Sequence, residues 1–221
     1  MKNIISIIIT LTLFSCTSTE KDSTIHQTKT NKTSVSEEDY IVLENLFIEG
    51  DFDGDGNTDK IIQIVTDANG NTISKIPAHE EWEKTVEYIL KNNINTKLYL
   101  ENKRTDTLEI GNSIGLYCLI NISDNNKDQK DEIIFVTDLP DYSNLNTARI
   151  YTFCNNKWTQ LKTFTINESI SFNWEGEVKP TFKDIPGFLS MHNNNWVYTE
   201  YNDDYIYNPE KMEKLIVPKC R

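Results

Sequence analysis

Between Gly50 and Ile64 the chain reads GDFDGDGNTDKIIQI, and this stretch constrains everything built around it. Carboxylates recur at every second position, at Asp51, Asp53 and Asp55, and are followed by Gly56, Asn57 and a fourth carboxylate at Asp59. Gathered in one turn without a counter-charge, they repel one another. A hard divalent cation such as Ca²⁺ takes roughly six to eight oxygens, and a tight loop supplies them when alternate side chains point inward. With Asp51 as position one, Asp53 is three, Asp55 five, Asn57 seven through its carbonyl, and Asp59 nine. Gly56 at position six permits the sharp turn. An EF-hand would need a Glu at position twelve, where Ile62 stands. The run from Ile61 to Val65 is strand-like instead, so the carboxylate at position nine must complete the sphere.

A weaker copy begins 73 residues later, as DNNKDQKDEII. Asp124, Asn126 and Asp128 take positions one, three and five, Lys130 falls at seven and Glu132 at nine. Position six is Gln129. A non-glycine residue held at positive φ there is strained by about 1 kcal/mol or more. Lys127 and Lys130 also dilute the local negative charge.

The surrounding pattern is mainly β. Strands are expected over 40–48 and 60–66, then a turn at Asn69–Gly70, a hairpin signal. Residues 79–92 break the pattern: acids lead, and Trp82, Val86, Ile89 and Leu90 are expected on one face of an amphipathic helix. Segments 97–100 and 107–110 flank a further turn. From Ser113 the order repeats: a strand over 114–122, the acidic loop, a strand over 133–137, then 148–154 and 158–166 about the turn at Asn155–Asn156. Strands are also expected over 169–174, 188–192 and 196–201, with 215–217 closing the sheet. The expected organisation is tandem antiparallel β-modules with one inserted helix. The first module spans 40–112, the second 113–168, and a C-terminal hairpin region 169–221.

Before position 40 nothing can build a core. Lys2 precedes an apolar run that ends at Phe14, too short for the about 20 residues that span a bilayer, so residues 1–15 read as a signal peptide. The end, Leu13-Phe14-Ser15-Cys16, resembles a bacterial lipobox, which implies cleavage before Cys16 and lipidation of that residue. Several acyl chains then anchor a domain stably. Residues 16–39 are rich in Thr, Ser and Lys and read as a flexible tether. Without residues 1–15 the chain carries 21 basic against 34 acidic residues. This charge disfavours nucleic acid and anionic lipid surfaces as partners.

The first loop resembles the calcium loop of FG-GAP or VCBS-type repeats, found in integrin-like β-propeller blades. Together with the lipobox, the second loop and the phrases IGNSIGLYCLINI and ARIYTFCNNKW, it resembles small Bacteroidota lipoproteins with such repeats. The resemblance covers roughly residues 40–165. It implies a blade-like, calcium-stabilised fold in the cell envelope, held at the outer membrane by its lipid, and no activity. The expected role is a non-enzymatic module for an unidentified protein or glycan partner. The alternative is an inhibitor or immunity protein against a wall hydrolase or secreted toxin.

Other signals carry less. Gly111-Asn112-Ser113-Ile114-Gly115 matches a nucleophile elbow, but that motif needs a helix after the serine and a strand-like run follows. His79-Glu80 begins a zincin motif that Glu83 breaks. After lipidation three cysteines remain. Cys118 with Cys154 is one pairing, Cys220 is another available partner, and a buried thiol is the alternative for the two strand cysteines. The aromatic, acidic stretch 196–207 reads as strand packing, or as an exposed strip for a partner.

Overall fold

The computed structural model describes residues 40–172, 178–202, 208 and 211–220. The expected signal peptide, Cys16 and the tether lie outside the described residues. The described residues are mainly β, at 46% strand and 9% helix, with several antiparallel sheets.

The first half contains β1 (Tyr40–Val42), β2 (Phe47–Gly50), β3 (Asp59–Thr66), β4 (Lys75–Pro77), helix α1 (Trp82–Lys91), β5 (Asn95–Leu100) and β6 (Lys103–Asn112). Strands β2, β3, β5 and β6 form one four-stranded antiparallel sheet in that order. Along β3 the side chains alternate: Asp59, Ile61, Gln63 and Val65 are buried, and the residues between them are half-buried. This is the period of a sheet with one face against a core.

The inserted segment differs from expectation in two places. The Asn69–Gly70 turn forms, with Gly70 N–H donating to the Asp67 carbonyl at 2.9 Å. Beyond it, however, β4 leaves β3 and pairs with β1, Ile76 opposite Ile41. In α1 the buried face is Thr85 and Ile89, one helical turn apart. Leu90, one residue further round, is 56% exposed.

The second sheet is β7 (Leu116–Asn121), β8 (Ile133–Thr137), β9 (Leu145–Cys154) and β10 (Lys157–Asn167), in consecutive order and antiparallel. All five residues of β8 and the first five of β7 are buried. Burial on both faces explains why these strands read as continuous apolar runs. On one face Leu119, Ile133, Phe135 and Phe153 pack with Ile48, Phe52, Ile61, Leu98 and Leu100 of the first half. On the other, Ile120, Ile134, Val136, Ile150 and Phe164 meet Phe172, Phe188, Leu189, Trp196, Leu215 and Val217 from the C-terminal part.

That part holds α2 (Glu168–Ser171), β11 (Leu189–His192), β12 (Asn195–Tyr198) and β13 (Glu213–Lys214). The strand expected over 169–174 is replaced by a turn of helix over its described start. Asn167 caps it, its Oδ1 accepting from Ser169 N–H at 3.0 Å, and Phe172 N–H donates to the Glu168 carbonyl at 2.7 Å. Residues 173 and 174 lie outside the described residues. The closing strand also sits earlier than expected, at Glu213–Lys214, and pairs with β12. Much of the aromatic stretch is packing. Trp196 is buried and donates its indole N–H to the Ile122 carbonyl at 3.0 Å, and Tyr198 and Tyr201 lie against Phe164 and Phe188.

The cysteine pairing requires a correction. Cys154 is bonded to Cys220, and Cys118 is a buried free thiol. Register explains it. Cys118 on β7 sits opposite Val136 on β8, which sits opposite Ala148 on β9. Cys154 is six residues further along β9, roughly 20 Å away at the rise of a strand. A disulfide needs Cα atoms within about 7 Å, and the Cα atoms of Cys154 and Cys220 are 6.2 Å apart.

Candidate metal centre

Each acidic loop joins the first two strands of its sheet, loop 1 between β2 and β3 and loop 2 between β7 and β8. Their backbones correspond. Positions four and six lie at positive φ in both: Gly54 (81°) and Gly56 (84°) in loop 1, Lys127 (63°) and Gln129 (73°) in loop 2. The strain expected at Gln129 is therefore present, and Lys127 shares it. The carboxylate at position one folds back in both loops. Asp51 accepts N–H bonds from Gly54 and Gly56 at 2.9 and 3.0 Å, and Asp124 accepts them from Asp128 and Gln129 at 2.9 and 3.1 Å. Position nine closes each coil. Asp59 accepts from Asp53 N–H at 3.3 Å, and Glu132 from Asn125 and Asn126 N–H at 2.9 and 3.4 Å.

In loop 1 carboxylate oxygens of Asp51, Asp53 and Asp59 lie within 4.8 Å of one another. Asp55 stands outside this group. It is exposed, and the Asn57 N–H that it accepts at 2.8 Å holds its carboxyl below the usual range. Asn57 is exposed as well. A side chain from another strand enters the cluster: Lys103 Nζ lies 2.5 Å from Asp53 Oδ2. That contact raises the lysine pKa, and Asn102 donates to Asp59 Oδ1 at 2.9 Å. The sequence shows Asn102 and Lys103 only as turn residues.

In loop 2 oxygens of Asp124, Asp128 and Glu132 also lie within 4.8 Å of one another. No ion pair reaches these three among the described residues. Lys130, at position seven, sends its ammonium to the Phe153 carbonyl at 3.1 Å. Glu132 is fully buried, and burial pushes its carboxyl up to about 8. Its Oε1 and the Oδ1 of Asn126 are buried with no hydrogen-bond partner among the described residues. Asp124 is exposed and Asp128 half-buried, but the two unpaired oxygens are buried and cost stability unless a cation or donor meets them. Two acceptors beside two further carboxylates form a hard-oxygen donor set that suits a hard divalent ion.

The loops touch. Asp131 N–H donates to the Asp51 carbonyl at 2.8 Å, and Asp51 N–H donates back to Asp131 Oδ2 at 3.2 Å. Asn121 Nδ2 donates to the same Oδ2 at 2.8 Å and to the Glu49 carbonyl at 3.0 Å. Gly50 makes the approach possible, since a Cβ there would fall on Asn121 Nδ2 and Asp131 Oδ2. Neither Asn121 nor Asp131 stands out in the sequence.

A separate cleft of about 470 Å³ is lined by Ile41, Trp82, Tyr117, Asp138, Tyr142 and Glu168, among others. Burial raises Asp138 to about 6 and Glu168 to about 7. Asn146 donates its amide to Glu168 Oε1. Ser113, of the apparent nucleophile motif, is buried and donates to the Gly111 carbonyl at 3.1 Å.

Comparison with family models finds no match, and comparison with curated proteins and with solved structures finds none either.

Proposed function

We propose that this chain is a non-enzymatic β-domain stabilised by Ca²⁺ and held on a lipid tether in the cell envelope, at the outer membrane, where it binds a protein or glycan partner. The observation that carries the reading is the pair of buried, unpartnered oxygens, Glu132 Oε1 and Asn126 Oδ1, in a loop that also gathers Asp124 and Asp128. Asp124, Asn126, Asp128 and Glu132, with the Lys130 carbonyl, would hold the ion in loop 2. Asp51, Asp53 and Asp59, with Asp55 and the Asn57 carbonyl, would hold one in loop 1. The ion supplies the positive charge that lets converging carboxylates stay ionised in a closed turn. Mg²⁺ demands near-ideal octahedral geometry and dehydrates reluctantly, so a flexible oxygen-rich loop suits Ca²⁺ better.

The two loops are not equal in this reading. Lys103 already neutralises part of loop 1, whereas loop 2 has no ammonium on its carboxylates among the described residues. Loop 2 is therefore the tighter site, although loop 1 is the fuller match to the sequence pattern. The repeated unit of a four-stranded antiparallel sheet with an acidic first connection supports tandem, propeller-blade-like modules. In this role the ions brace the strand-to-strand joints of a rigid frame for recognition.

Calorimetric titration with Ca²⁺, paired with thermal melting in Ca²⁺ and in EDTA, tests the reading. Binding heat and a higher melting temperature in Ca²⁺, both diminished by Glu132→Gln, are expected. Identical melting curves with no binding heat would sink it.

A further inference from the structure

Loop 2 is not closed by its own residues alone. After β13 the chain runs beneath the second sheet with alternate residues inward: Leu215 is 1% exposed, Ile216 72% and Val217 5%. Leu215 N–H donates to the Trp196 carbonyl at 2.8 Å, and Trp196 in turn donates to Ile122 at the entrance to loop 2. The next three residues reach the loop and its neighbouring strand in succession. The Pro218 carbonyl accepts Asn126 Nδ2 at 3.2 Å, Lys219 Nζ donates to the Lys127 carbonyl at 2.6 Å, and Cys220 is bonded to Cys154 at the end of β9.

The first of these contacts fixes a ligand. A carbonyl can only accept, so the atom of Asn126 that faces Pro218 is the amide nitrogen, and the oxygen is the other end of the group. That oxygen is one of the two buried acceptors of loop 2 that have no partner among the described residues, and the Asn126 backbone N–H bonds the carboxylate that carries the second. The tail thus orients the side chain at position three.

We infer that the C-terminal tail 215–220 is a component of the loop 2 cation site and that the Cys154–Cys220 bond holds it in place, so that ion binding and the disulfide stabilise each other. The inference rests on the proposal that loop 2 binds Ca²⁺. A dithiol opens the bond by two exchanges: the Sγ–Sγ bond breaks, Cys154 and Cys220 each leave as a thiol, and the dithiol is oxidised to its cyclic disulfide. The tail residues then lose their tether, and Asn126 loses its brace. Linkage requires the converse, that bound Ca²⁺ protects the disulfide.

The test uses the full chain carrying Asp53→Ala, which removes the loop 1 donor at position three outright and isolates loop 2. Adding Cys220→Ser is expected to weaken Ca²⁺ binding by about tenfold, within the usual range of coupling between sites. Redox equilibration in a dithiothreitol buffer supplies the converse without substituting either cysteine: saturating Ca²⁺ is expected to lower the equilibrium constant for reduction about tenfold, and Glu132→Gln to abolish that protection. Calcium binding in the Asp53→Ala protein with unchanged affinity after Cys220→Ser, or with the same equilibrium constant for reduction with and without Ca²⁺, overturns the tail's role and leaves the cation reading standing. Absence of any binding in the Asp53→Ala protein overturns loop 2 as a cation site and this inference with it.

Discussion

Asp51 and Asp131, eighty residues apart, exchange two hydrogen bonds: Asp131 N–H to the Asp51 carbonyl at 2.8 Å, and Asp51 N–H to Asp131 Oδ2 at 3.2 Å. Asp51 is position one of loop 1, and Asp131 immediately precedes position nine of loop 2. Whatever fixes Glu132 in loop 2 therefore also fixes the backbone on which loop 1 begins. If both loops take an ion, as proposed, this contact couples them, and the second ion is expected to bind more tightly than it would alone. Asp131→Ala is expected to turn a cooperative Ca²⁺ isotherm into two independent steps. It also strands the Asp51 N–H and leaves the Asn121 amide only the Glu49 carbonyl, a loss of about 1 kcal/mol. Calorimetry and urea unfolding read the two effects separately. Retention of full cooperativity in the variant would show that the loops communicate by another route.

Gly50→Ala addresses the same contact from the strand side. The added methyl meets Asn121 and Asp131 on one side and Phe52 Cζ at 2.9 Å on the other. Phe52 is fully buried and cannot retreat without disturbing the packing between the sheets. The expected cost is about 1–3 kcal/mol, typical of overpacking. Because the strain falls on the bridge, Ca²⁺ affinity at loop 1 is expected to fall with it. A variant that loses stability yet binds as before would assign Gly50 to packing alone.

Local information in the chain carries much of this architecture. Oxygen-bearing side chains at alternate positions mark both turns, and apolar runs on either side mark the strands, because loop spacing and strand period are set by neighbouring residues. What the sequence hides depends on distant partners. Lys103 enters loop 1 only because β6 returns beside it, and Asn126 meets Pro218 ninety-two residues later. Cys154 lies next to Cys220 only after the tail has crossed the second sheet. The helical turn at 168–171 is hidden for a nearer reason. From Ser169 to Trp174 polar and apolar residues alternate at the period of a strand, and the Asn167 cap with the buried Glu168 decides against one over 168–171.

Stability should depend on pH through the cleft acids. Burial raises Glu168 to about 7 and Asp138 to about 6 in the folded protein, against unfolded values near 4. Between about pH 4 and 7 the unfolded chain gives up these protons first, so the unfolded state binds fewer protons and stability falls as pH rises. The contribution is fully present below about pH 4 and lost by about pH 7. Glu168→Gln keeps an oxygen for the Asn146 amide and removes the titration. Urea unfolding in EDTA at pH 5 and pH 8 should show the variant gaining on the parent at the higher pH. An equal difference at both pH values would mean that Glu168 titrates as an ordinary carboxylate.

Lys103 offers the sharpest distinction between a loop that binds an ion and one that is merely acidic. Its ammonium lies 2.5 Å from Asp53 and 5.4 Å from the Phe153 ring centroid, half-buried where two sheets meet. It acts as a resident cation, and a divalent ion entering loop 1 competes with it for Asp53. Lys103→Met keeps most of the apolar stem and removes the charge. Without Ca²⁺ the three clustered carboxylates then lack their counter-ion, and a loss of about 1 kcal/mol is expected, at the upper end for a partly exposed pair. With Ca²⁺ the sign reverses, because the competitor has gone, and affinity at loop 1 is expected to rise about tenfold, or about 1.4 kcal/mol. Melting temperatures of the variant and its parent should therefore cross between EDTA and millimolar Ca²⁺. If Lys103→Met lowers the melting temperature equally in both, the ammonium is a structural partner of Asp53 and loop 1 takes no ion.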